Sequence, residues 1–280
     1  MFEPLPTIRA IGLFREVDEA LIPLLRSLDA GDWDRPAVGT WRVRDVAAHL
    51  LDSALRRLSL DRDRHRPPPP DHDISAYRGL VDFLNQLNAT WVDAASRLSP
   101  RVITDLLEFV DPQVADYFES LDPEAPAAFA VDWAGESESR VWMDVAREFT
   151  ERWHHQQQIR EAVGAPGLDE PRFVVPLLET LVRAVPRAYD SVSAPEGTII
   201  SIEIDDLEAL AWVLVRENGG WVLRKPIDAT DTNASIRLPA DIAWRLFVKG
   251  IPAEAASEVA KIDGASQLTR PFFASLAIMA

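Results

Sequence analysis

At 280 residues, with 47 % of them hydrophobic and 26 % charged, the chain has the balance of a soluble globular protein long enough for two domains. A net charge of −16 disfavours nucleic acid and anionic lipid, no apolar run is long enough to span a bilayer, and the start, Met1 to Pro6, lacks the basic-then-apolar order of a signal peptide. These features imply a cytoplasmic protein with neither nucleic acid nor membrane as partner. The absence of cysteine excludes disulfides, thiolate metal sites and a catalytic thiol of the chain's own, so any thiol in its chemistry must arrive as a cosubstrate.

In chain order, apolar residues at steps of three and four (Ile11, Phe14, Val17, Leu21, Leu24, Leu28) predict a helix over 8–28, with a kink or break at Pro23. A turn at Asp29–Asp32 leads to a second helix over 43–60, whose apolar positions Val46, Leu50, Leu51, Ala54 and Leu55 surround His49. Arg56, Arg57, Arg62, Arg64 and Arg66, interrupted by Asp61 and Asp63, read as a solvated helix end. Pro67–Pro70 with Asp71 and Asp73 form a loop carrying His65 and His72, both expected in solvent, before a third helix over 74–98. From Pro100 to Arg140 the signal is mixed: Val102–Val110 looks helical, and the rest reads as a long acidic excursion over the surface.

Trp142–Val163 gives the clearest helix, ended by Gly164-Ala165-Pro166-Gly167, which also marks the domain boundary. Beyond one more helix over 171–189 the period changes. Segments 198–204, 211–216, 221–224 (after the turn Asn218-Gly219-Gly220), 234–238 and 259–262 read as strands, with helices over 239–248 and 268–279. The expected fold is α then α+β: a helical bundle over 1–165, and a smaller domain over 166–280 with a sheet and helices on one of its faces. Trp41, Trp91, Trp142 and Trp153 fall in helical patterns and are read as core, with no role assigned.

Glu151-Arg152-Trp153-His154-His155 carries the chemistry. Glu151 and His155 are four apart and share a helix face, close enough to grip one ion, and His49 on another helix is the natural third ligand. His154, three residues from Glu151, is the alternative to His155. Two imidazoles and one carboxylate would leave a divalent ion with an open position, as in sites that polarise a bound water or thiol. Asp52, one turn after His49, is either an orienting partner for a ligand imidazole or a solvated carboxylate. Gln156, Gln157 and Gln158 read as a polar face rather than as donors to substrate.

The segments Thr40–Leu50 and Glu148–Arg160, in this order and at this separation, resemble the two metal-bearing helices of the mycothiol-dependent maleylpyruvate isomerase family, within the DinB-like four-helix-bundle superfamily. Gly250-Ile251-Pro252-Ala253 and Leu276–Ala280 are similar to the sterol-carrier-like domain that often follows this bundle. The resemblance implies a divalent metal, commonly zinc with nickel or iron as alternatives, held by His49, Glu151 and His155. It also implies mycothiol or another small thiol as cosubstrate, and a thiol-using isomerase or transferase acting on a small electrophile. A non-catalytic metal- and ligand-binding protein and a metal-dependent hydrolase are the competing expectations.

Overall fold

The computed structural model describes residues 1–68, 70, 77–207, 210–228 and 231–277. The expected loop residues Asp71 to Asp73 with His72, the start of the third helix at Ile74, and Ile278–Ala280 lie outside them. The chain divides into two compact units, one comprising residues 9–128 and 140–169 and the other 1–8, 129–139 and 170–278. This replaces the single boundary expected at residue 165. The physical reason is that the opening strand β1 (Phe2–Glu3) is hydrogen-bonded into the C-terminal sheet, and segment 129–139 buries Val131 and Trp133 in the same unit.

The first unit is a helical bundle. Helix α1 (Ile11–Ser27) buries Phe14, Val17, Leu21, Leu24 and Leu25, and runs through Pro23 without ending there. A hairpin of β2 (Pro36–Val38) and β3 (Trp41–Arg42) turns at Gly39, φ +54°, and feeds α2 (Val43–Arg56). The start of α2 is fixed by Asp45, which accepts a hydrogen bond from the Arg42 amide at 2.9 Å. A π-helical turn, Arg57–Arg62, continues α2.

Helix α3 (Tyr77–Ala95) lies along α2, where the Trp91 indole donates to the Ala48 carbonyl at 2.7 Å. Helix α4 spans Pro100–Ser120, with Ser99 capping the Val102 amide. It therefore includes Asp111–Ser120, the first part of the stretch expected to be an acidic surface excursion. Asp111, Val114, Ala115 and Phe118 are buried, whereas Pro112 is exposed, so the carbonyl it leaves unbonded can face water. Helix α5 (Val141–Val163) closes the unit, and ends with Gly164 in the left-handed region at φ +70°. Helices α1, α4, α2 and α5 contact one another in a closed ring, which is the four-helix bundle.

Helix α5 is unusual in what it buries. Asp144, Arg152, His154, His155, Gln156 and Gln157 are all interior. Arg57 is also buried, not solvated as expected: its guanidinium grips Asp144 through two hydrogen bonds of 2.7 and 3.1 Å and Glu148 through one of 2.8 Å. Lower on the same face, Arg152 pairs with Asp18 of α1 at 2.9 Å and with Asp111 of α4 at 3.0 Å. Burial drives the Asp18 carboxyl well above its ordinary pKa against the pull of Arg152.

The second unit holds a six-stranded sheet in the order β1-β6-β5-β4-β7-β8. Its strands after β1 are β4 (Ile199–Ile204), β5 (Ala211–Glu217), β6 (Gly220–Pro226), β7 (Ala234–Leu238) and β8 (Lys261–Gly264). All neighbours are antiparallel except β4 and β7. Helix α6 (Pro171–Leu181), a 3₁₀ turn over 182–184 and the short α7 (Val185–Ala188) precede the sheet, so the single helix expected over 171–189 continues through Pro176 but breaks just ahead of Pro186.

Helices α8 (Ala240–Phe247) and α9 (Ala253–Val259) lead from β7 to β8. The expected closing helix is instead the short α10 (Ser266–Thr269) followed by a 3₁₀ segment, Arg270–Ala274, because Pro271 interrupts it. Ile200–Ile202 and Trp212–Val215 are buried in succession, so the central strands are covered on both faces rather than on one. No helix among the described residues is long and apolar enough to cross a membrane.

Two outcomes follow from the buried groups of α5. Arg152→Leu strands the Asp18 and Asp111 carboxyls in the interior and should cost about 3–5 kcal/mol in urea unfolding. His154 is fully interior and its pKa is pushed down to about 3, chiefly by burial and then by neighbouring His155. Because the folded value lies below that of the unfolded chain, this stability is complete above about pH 6.5 and drains away as pH falls toward 3. In chelator-treated protein, the slope lost on His154→Leu should approach about 1.4 kcal/mol per pH unit within that window. Parallel stability profiles for the two proteins would refute this assignment.

Candidate metal centre

His49 lies in the second turn of α2, on a face made interior by Val46, Leu50 and Ala54, while Glu151 and His155 lie one turn apart on α5. The contact of α2 with α5 brings all three together: one donor atom from each lies within 4.8 Å of the others. His49 Nε2 is 3.3 Å and His155 Nε2 is 3.1 Å from the same oxygen, Glu151 Oε1. The imidazoles meet edge to face, with ring centroids 4.7 Å apart. Two atoms held at 2.0–2.1 Å from a tetrahedral ion are about 3.3 Å apart, so both Glu151 contacts have the length of a tetrahedral edge.

The hydrogen bonding around His155 sharpens this. Its Nδ1 faces Gln158 Oε1 at 2.8 Å, an atom that can only accept, so Nδ1 carries the proton. With a proton on Nε2 as well, the ring makes an ion pair with Glu151; without it, the Nε2 lone pair and the carboxylate face each other at 3.1 Å across a point that a cation can occupy. The residues thus fit a divalent ion, which two neutral imidazoles and one carboxylate could hold with coordination to spare.

The electrostatics agree. Burial works against ionisation of Glu151, yet the charge and hydrogen bond of His155, joined by the hydrogen bond to His49, hold it well below the ordinary carboxylate range. The His49 pKa is lowered as well, since burial lowers it more than Glu151 raises it, and this favours the neutral ring. Glu151 keeps 33 % of its side chain exposed against 5 % for His49, so the approach from solvent is at the carboxylate.

His154 stands apart from the cluster. Its Nδ1 donates back to the Thr150 carbonyl at 3.0 Å, and its ring stacks beside His155 with centroids 4.1 Å apart. Asp52 does not orient His49; it pairs with Arg56 at 3.0 Å, and His49 Nδ1 is buried without a hydrogen-bond partner. The three glutamines diverge. Gln156 donates to the Val17 carbonyl, Gln157 binds Asp169 and the Leu168 amide, and only Gln158 reaches the cluster. Trp153 is core, whereas Trp41 lies in β3 with its ring centroid 5.2 Å from that of His49. The contacts of Gln158 and Trp41 were not foreseen. A glutamine three residues beyond a suspected ligand histidine is a recognisable signal, but nothing in the sequence marks Trp41.

Residues 14–160 match the family model for the mycothiol maleylpyruvate isomerase N-terminal domain. Among solved structures, a point mutant of the mycothiol-dependent maleylpyruvate isomerase superposes with a TM-score of 0.54 at 14 % identity, covering 92 % of this chain and 93 % of that one. Another structure of the mycothiol-dependent maleylpyruvate isomerase gives 0.53 at 14 % identity, over 86 % and 88 %. No curated protein matches the sequence. The fold is therefore shared along nearly the whole length, and the matched segment contains both helices that carry the cluster. The chain belongs to the mycothiol maleylpyruvate isomerase N-terminal domain family.

Proposed function

We propose that this protein is a metal-dependent enzyme that uses a low-molecular-weight thiol to isomerise, or to transfer the thiol onto, a small electrophilic substrate. The observation that carries this reading is the convergence of His49 Nε2, His155 Nε2 and Glu151 Oε1 on one partly open point. Zinc suits the tetrahedral edge lengths, and nickel or iron would accept the same donors. A divalent ion held there would supply a Lewis-acid position at which an incoming thiol sheds its proton.

The rest of the chemistry falls to the chain's own residues. Glu151 supplies the one negative charge of the cluster, leaving a net positive site that attracts a thiolate. His49 and His155, held in the interior of α2 and α5, keep the two neutral donors from swinging away. Solvent and substrate enter beside Glu151. The chain has no cysteine, so the thiol is necessarily external; mycothiol, the thiol named for its structural relatives, is the leading candidate. A thiolate adding to an activated double bond would leave a single bond about which the product rotates before the thiolate departs.

Purified protein should carry about one divalent ion per chain. His49→Ala, Glu151→Ala and His155→Ala should each weaken that affinity by more than the ~10–100-fold typical of removing an outer partner, while His154→Ala should affect stability more than metal content. Unchanged metal content in all three ligand variants would remove the site.

Turnover of an electrophilic alkene should require both metal and thiol, saturate with thiol, and stay nearly flat from about pH 7 to 9, where a free thiol of pKa about 8.5 would still be titrating. Turnover without thiol would indicate a hydrolase. Metal binding with no thiol binding would indicate a binding protein.

A further inference from the structure

Resting on the metal reading, we propose that Gln158 is a positioning residue, which fixes His155 in the tautomer and ring orientation that present Nε2 to the ion. Gln158 is three residues beyond His155 on α5, so its side chain comes round to the same side of the helix. Its Oε1 receives the Nδ1 proton at 2.8 Å. In the other tautomer a bare Nδ1 would face the lone pairs of Oε1, and Nε2 would carry the proton exactly where the ion is to bind. Gln158 therefore selects the metal-ready form before any ion arrives.

The comparison with His49 shows that this support is specific. His49 is at least as buried, but its Nδ1 has no hydrogen-bond partner, because Asp52 is committed to Arg56. The two imidazoles are thus inequivalent: His155 has a protein acceptor at Nδ1 and His49 has none there. Gln156 and Gln157, bound elsewhere, cannot substitute for Gln158. The side chain of Gln158 is not part of the closed core, so its replacement is compatible with folding.

The test uses the full-length protein with Gln158→Leu and Gln158→Glu. Zinc affinity is measured by competition with a chromophoric chelator, and the His155 tautomer by long-range proton–nitrogen NMR correlation in metal-free protein. Gln158→Leu should weaken zinc binding by about 10–100-fold and release His155 from the Nδ1-protonated form. Gln158→Glu, which keeps an acceptor, should retain that tautomer and bind zinc at least as tightly as the native protein.

An unchanged tautomer in Gln158→Leu would overturn the proposal whatever happens to affinity, as would unchanged affinity in a native protein that binds zinc. If the native protein binds no zinc, the metal reading fails separately. The NMR result still decides whether Gln158 sets the tautomer.

Discussion

The structure of the bundle depends on how the inner face of α5 neutralises its own charge. Asp144, Glu148, Glu151, Arg152 and His155 recur at helical spacing on a side of α5 that faces other helices, where a bundle would ordinarily place apolar residues. A buried charge left unpaired costs several kcal/mol, so each of these groups must find its counterpart on another helix. Arg57 meets Asp144 and Glu148, Asp18 and Asp111 meet Arg152, and His49 meets Glu151. These pairings fix the rotation of α5 about its axis. They also determine which three donors come together.

That arrangement separates two kinds of polar group in one core. In the arginine pairs each guanidinium meets two or more protein carboxylates, Asp144 and Glu148 around Arg57 and Asp18 and Asp111 around Arg152. The His49–Glu151–His155 cluster is acceptor-rich and holds no arginine, and it is open at Glu151. Two ionic clamps hold the backbone of α5 at this point: Arg57 grips Asp144 and Glu148 in the turns before Glu151, and Arg152 is anchored within the ligand-bearing turn itself. Rigid support of this kind is what a site needs when donor separations must be kept within a few tenths of an ångström.

The candidate site was largely legible because its geometry is local: Glu151 and His155 are one helical turn apart, and His49 stood out as the one imidazole within an apolar helical pattern. The strands of the C-terminal unit were legible for the same reason, through alternation and the Asn218-Gly219 turn. The clamps were not. Arg57 and Asp144 are 87 residues apart and Arg152 and Asp111 are 41 apart, and each side chain taken singly looks like a solvent-facing charge. The second half of α4 was hidden similarly, since Pro112 and its acidic neighbours imitate a loop until Asp111 is seen to face inward and Pro112 outward. Strand β1 has only two residues and leaves no periodic trace.

The discontinuous C-terminal unit bears on how the molecule is made. Phe2 and Glu3 pair with Pro226 and Lys225, so they wait for partners synthesised more than two hundred residues later. Segment 129–139 waits too, with Val131 and Trp133 destined for the same unit. Among the described residues, the helical unit is interrupted only by that segment and is complete as soon as Asp169 is made. Synthesis therefore favours an order in which the bundle, with its candidate metal cluster, assembles first, and the sheet later takes up an edge strand made well before it. Long-range closures of this kind fold slowly and leave apolar segments exposed in the interval. Chaperone dependence, if this protein has any, should fall on the second unit rather than on the one that carries the chemistry.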